Sequence, residues 1–121
     1  MVETAGTTSI DIEASPEIVY AILTDLTRIS ELSPECYKAE WEDGSTGAVV
    51  GAKFRGYNQQ GNHKWDQGCV VVAADQGKEW AFDVPSDDGR ATTWRYEIEP
   101  TGDGCRVTES FESPILDGEF F

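Results

Sequence analysis

Glu109 is the residue in this chain best placed to do chemistry. It stands between Val107 and Phe111 in CRVTESFE. A strand's period of two sends all three side chains to one face, so a carboxyl group lies among apolar neighbours and could serve as a general acid or base. The opposing reading is a slip or bulge that turns it outward, or pairing with Arg95 or Arg106 across strands. His63, the only histidine, follows Gly61 and Asn62 in a turn. It could present an imidazole at a cavity mouth, or be an ordinary exposed loop residue. Tyr57, Tyr96 and Gln67 could orient a ligand carbonyl or phenol by hydrogen bonding, and equally suit plain sheet packing. Cys69 and Cys105 have no evident basic neighbour to make thiolates of them and read as small buried residues. With Cys36 they make three cysteines that lack CxxC or metal-ligand spacing, which fits reduced thiols in a cytoplasmic protein. No Ser-His-Asp, Cys-His or metal-ligand pattern is visible, so neither a metal nor another cofactor is expected.

The elements that must hold these groups are unevenly distributed. Ala14 to Pro34, ASPEIVYAILTDLTRISELSP, is the only helical stretch. Ser15 is placed to cap it, Pro16 to open its first turn and Glu17 to meet the positive end of its dipole. Ile18, Val19, Ile22, Leu23, Leu26 and Ile29 recur at threes and fours and form a stripe that can bury against a sheet. A break near Asp25 to Arg28 divides the stretch into two short helices, and Pro34 ends it. Strands are expected before it at Ser9 to Glu13. After it they are expected at Cys36 to Glu42, Ala52 to Gln60, Lys64 to Ala74, Glu79 to Val84, Ala91 to Glu99 and Cys105 to Glu112. Turns at Asp43 and Gly44, Gly61 and Asn62, Asp75 to Gly77, Asp87 to Gly89 and Thr101 to Gly104 join them as hairpins. The result is an α+β fold, an antiparallel meander of about seven strands with one long connection carrying the helices.

Alternation then divides the sheet into an aromatic face and a wet one. Trp80, Phe82 and Val84, then Trp94, Tyr96 and Ile98, then Val107, Glu109 and Phe111 share one side. Trp65, Gln67, Cys69, Val71 and Ala73 are expected to join them, as is Phe54. Residue types alone leave open whether this interior is a filled core or a ligand cavity. The formal charge is −14, from 23 acidic and 9 basic residues. Such a surface repels phosphate, which argues against nucleic acid as a partner, and no segment is long and apolar enough for membrane insertion.

The order of strand, helical block, G-x-K-F at Gly51 to Phe54, the valine-rich strand, KEWAFDV, TTWRYEIEP and GDGCRVTESFE resembles the START-like (Bet v 1-like, SRPBCC) superfamily. It looks most like the polyketide cyclase/dehydrase and lipid transport group, over Thr8 to Glu112, within one domain spanning 1–121. The resemblance implies a helix-grip fold, a curved sheet around a long C-terminal helix with an apolar cavity between them. It implies a hydrophobic or aromatic ligand, lipid or polyketide-like, with Phe54, Trp65, Trp80, Phe82, Trp94 and Phe111 in the interior. Three readings follow: ligand binding without reaction, a cyclase or dehydratase using acid/base groups such as Glu109 or His63, or a protein-interaction module. The departure from the family is at SPILDGEFF, where a long helix should continue. Pro114 ends the last strand, and Ile115, Leu116, Phe120 and Phe121 look like an apolar helix start cut short. The expectation is that the helix is truncated or disordered, or that a homodimer or partner chain covers the open face.

Overall fold

A computed structural model describes residues 5–32, 36–85 and 91–113. The expectations for Pro34, for the turn at Asp87 to Gly89 and for the final segment from Pro114 to Phe121 lie outside those residues. Strand β1 runs Ala5–Ile12, then α1 Pro16–Thr24, a 3-10 turn Leu26–Arg28, and α2 Ile29–Leu32. The strands β2 Cys36–Glu42, β3 Lys53–Gln60, β4 His63–Asp75, β5 Glu79–Pro85, β6 Ala91–Pro100 and β7 Cys105–Glu112 follow. All pairings are antiparallel, in one seven-stranded sheet of order β1-β7-β6-β5-β4-β3-β2. Strands β1 and β2 therefore occupy opposite edges, and the helical block between them has to cross one face of the sheet. The α+β meander is as expected, except that β1 begins at Ala5 rather than Ser9, because its pairing with β7 continues to Glu112. Among the described residues no helix follows β7.

Local chemistry explains the helical block. The Ser15 hydroxyl accepts a hydrogen bond from the Ile18 amide at 3.3 Å, and Pro16 sits where its missing N–H is harmless. Asp25 stops α1 by turning extended, and its carboxylate then accepts from the Thr27 amide at 3.0 Å to open the 3-10 turn. The break at Asp25 is thus a capped restart that changes the chain's direction over the sheet. Val19, Tyr20 and Leu26 are buried. α1 lies against β5 and β6, while the 3-10 turn and α2 lie against β2.

Cross-strand register fixes the two faces. Trp94 opposes Phe111 and Phe82, Tyr96 opposes Glu109 and Trp80, and Ile98 opposes Val107. On the far side Phe54 opposes Cys69 and Trp41. Phe54, Trp80 and Val71 centre the core, with Phe54 stacked on Trp80 at 6.2 Å and edge-on to Phe82 at 5.2 Å. Such ring contacts add to the area that the rings bury. A bulge between Val71 and Ala73 settles the ambiguous valines: Val71 is buried and Val72 turns out to solvent. It also corrects Ala73, because the extra residue passes the inward position opposite Trp80 to Ala74.

The outer face is a ladder of ion pairs. Arg55 bonds Glu42 and Asp66, both at 2.7 Å, Arg106 bonds Asp11 at 2.8 Å, and Arg95 bonds Glu79. These pairs are solvent-screened and each contributes little to stability. Their structural effect is to hold the arginines on the wet side.

Candidate functional site

A cavity of about 510 Å³ opens between α1 and the β1–β7–β6 side of the sheet. Helix α1 supplies Val19, Ile22 and Leu23, whose spacing of three and four residues puts them on one helical face. Strand β1 supplies Thr8, Ile10 and Ile12 by alternation, with Ser9 at the margin and Ala14 leading into the helix. Strands β6 and β7 complete it with Tyr96, Val107 and Glu109. Ile10 is 62% exposed, so this wall stands open to whatever enters.

Glu109 keeps the inward orientation that alternation assigned it. Its cross-strand neighbours are Thr8 on one side and Tyr96 on the other. The arginines that might have drawn it outward are occupied on the opposite face, Arg95 with Glu79 and Arg106 with Asp11. Burial holds the Tyr96 phenol well above its ordinary range, and hydrogen bonding to Glu109 together with that residue's negative charge adds to the effect. The Tyr96 hydroxyl therefore stays protonated through the physiological range and can act as a donor, while Glu109 can accept.

Of the catalytic and ligand-binding candidates from sequence, the cavity brings together only Glu109 and Tyr96. Phe54 and Trp80 are buried in the aromatic core, and Phe82 packs against it. Trp94 and Phe111 form a separate tilted pair with centroids 5.2 Å apart. None of these five lines the cavity, so their aromaticity serves packing beside it. Tyr57 is a correction: it lies on the outer face, where its hydroxyl donates to Glu40 at 2.8 Å and Lys38 sits over its ring. His63 is exposed at the start of β4 and stacks on Trp65 at 5.1 Å, and Gln67 is also exposed. These three belong to the β3–β4 hairpin and do not line the cavity. The lining residues that sequence reasoning missed are Thr8, Ser9, Ile10, Ile12 and Ala14. The signal for Thr8, Ile10 and Ile12 was their alternation in TTSIDI, which ends four residues before α1 begins.

Cys69 and Cys105 are buried, as expected, and burial raises both thiols, Cys69 to about 12. The Cys36 thiol contacts the Lys38 carbonyl oxygen at 3.3 Å. Among the described residues no group of three or more His, Cys, Asp or Glu side chains could hold a metal ion. No helix among them is long and apolar enough to cross a membrane.

The curved antiparallel sheet, the two short helices after β1 and the cavity against α1 define a protein of START-like architecture. The family model for polyketide cyclase / dehydrase and lipid transport matches residues 3–121, and the chain belongs to that family. It is similar to the Polyketide_cyc-like protein of Corynebacterium glutamicum, solved by solution NMR. The two are 34% identical over 98% of this chain and 70% of that one, with a TM-score of 0.67. A protein from Chromobacterium violaceum shares the fold at 19% identity, with a TM-score of 0.76 over 95% of this chain and 82% of that one. A protein from Mesorhizobium loti does so at 15% identity and a TM-score of 0.74, over 95% and 79%. Among curated proteins none matches this sequence.

Proposed function

We propose that this protein, a single START-like domain, binds a hydrophobic or aromatic small molecule, lipid or polyketide-like, between α1 and the sheet. The observation that carries the reading is the open cavity of about 510 Å³ walled mainly by Ile10, Ile12, Val19, Ile22, Leu23 and Val107. That volume lies within the range of small-molecule sites, and an apolar wall with few polar groups is what such sites present. Membership of a family described by polyketide cyclases, dehydrases and lipid transport agrees with it. The reading is of a cytoplasmic protein. Nucleic acid is disfavoured by the formal charge of −14 and by the outer-face pairing of Arg55, Arg95 and Arg106.

Native mass spectrometry of protein from its source organism, combined with titration of the uncharged fluorophore N-phenyl-1-naphthylamine, tests the reading. A co-purifying apolar molecule and saturable one-to-one binding are expected. Absence of both would remove it.

A second reading, a cyclase or dehydratase, is favoured by one observation: Glu109 and Tyr96 meet inside the cavity wall. A carboxyl acceptor beside a hydroxyl donor is enough for proton transfer on a chain already folded by the cavity's shape. Under this reading Glu109→Gln retains binding and loses turnover by about 10²-fold or more. Full turnover in the variant would eliminate it.

A further inference from the structure

We infer that the cavity selects an amphiphile whose polar end is a hydrogen-bond donor, a hydroxyl or an amine, and discriminates against acids; this rests on the ligand-binding reading above. The strand register sorts the lining residues into transverse rows. One row runs Thr8, Glu109, Tyr96 across β1, β7 and β6, and is polar throughout. The next runs Ile10 and Val107, and beyond it comes Ile12, all without charge; Ile98 and Cys105, their neighbours in register, lie outside the lining. Rows two residues apart along a strand are separated by about 7 Å. The cavity is therefore polar at one end and apolar at the other. A single-chain amphiphile fits with its head at Glu109 and its tail between Ile10, Ile12 and the Val19–Leu23 face of α1.

The head's chemistry follows from what the polar row contains. Glu109 offers acceptor oxygens and negative charge, Thr8 and Tyr96 offer hydroxyls, and among the described residues no Lys, Arg or His lines the cavity. A fatty acid or phosphate head would meet a like-charged carboxylate with no cation among the described lining residues to offset it. The formal charge of −14 adds a repulsive field during approach. A hydroxyl or ammonium head instead donates to Glu109.

The experiment compares decanol, decylamine and decanoate, at neutral pH and below their micellar concentrations, as competitors of N-phenyl-1-naphthylamine. Expected are displacement by the alcohol and the amine and at least about tenfold weaker displacement by the carboxylate, ~1.4 kcal/mol. In Glu109→Gln, confirmed folded by circular dichroism, the gap between alcohol and carboxylate should shrink to about threefold or less, and the wild-type ranking stands by itself should that variant fold poorly. Decanoate binding as tightly as decanol in the wild type overturns this inference and leaves the ligand-binding reading intact. An undiminished gap in Glu109→Gln overturns it too, because the selectivity would then come from overall charge. A fluorophore that binds saturably but is displaced by none of the three also overturns it, and failure of the fluorophore itself to bind takes the ligand-binding reading with it.

Discussion

Ile10 separates binding from folding, because the described structure leaves it largely uncovered while the cavity needs it. Its side chain is 62% exposed, and fully burying an isoleucine contributes about 1.5–3 kcal/mol. A ligand that covered all of the exposed part would gain roughly 1–2 kcal/mol from it, and one that covered half roughly 0.5–1 kcal/mol. Ile10→Ser should therefore weaken binding of N-phenyl-1-naphthylamine by about twofold to fivefold. Only the part already covered, together with the lost strand preference beside its cross-strand partner Val107, bears on folding, so the cost there is about 1 kcal/mol. Fluorescence titration gives the first number and urea unfolding the second. Ile18→Ser is the matched control, since Ile18 is 56% exposed on α1 but does not line the cavity. An unchanged dissociation constant for Ile10→Ser, or an equal weakening in both variants, would refute the location of the site. A stability loss above about 2 kcal/mol would show that Ile10 is covered in the free protein, and that the cavity wall is not open.

Three further outcomes are expected. Val71→Ala, at a side chain 1% exposed in the middle of β4, should cost about 2–3 kcal/mol in urea unfolding followed by tryptophan fluorescence. Gly104→Ala should lower the melting temperature, because a methyl there would overlap the Ile12 carbonyl and approach Ala14 N to 2.8 Å and Glu13 Cα to 2.9 Å. The obstacle is backbone, which cannot rotate aside, so about 1–3 kcal/mol is the expected cost. Stability should fall with alkali. The Cys69 thiol is raised to about 12 from 9.0 by burial, so between those values the unfolded chain releases a proton that the fold retains, and stability is lost as pH rises. Cys105 and Tyr96 are shifted the same way by the same cause. The unfolding free energy from urea titrations should decline from about pH 9 upward at ~1.4 kcal/mol per pH unit from Cys69 alone, lowering the midpoint, and Cys69→Ala should flatten that slope. A midpoint constant to pH 11 would contradict the burial argument.

Much of the fold can be read from local patterns because strands and helices impose fixed periods on the apolar residues. Ser15, Pro16 and the stripe from Val19 to Leu23 specify α1, and Asp25 specifies its break, through capping hydrogen bonds and apolar spacing within a few residues. Glu109 could be assigned inward for the same reason. Residue type misled at Tyr57: counting in twos from the buried Phe54 already sends it outward, where it meets Glu40. The bulge after Val71 was beyond a strict count, since an extra residue leaves no mark in the composition of a valine-rich run.

Residue order was enough to assign most inward side chains, those at the bulge after Val71 excepted, because facing follows backbone period, and to point to the family through the order of elements. Only the tertiary structure decided which of those inward residues are core and which are cavity. The helical block joins strands on opposite edges of the sheet, and where it crosses sets what it covers. Phe54, Trp80 and Phe82 interlock as a packed aromatic cluster, while an open space lies between α1 and the β1–β7 edge of the sheet. That division depends on how far the helix stands from each part of a curved sheet, a distance between segments far apart in the chain that no local pattern encodes.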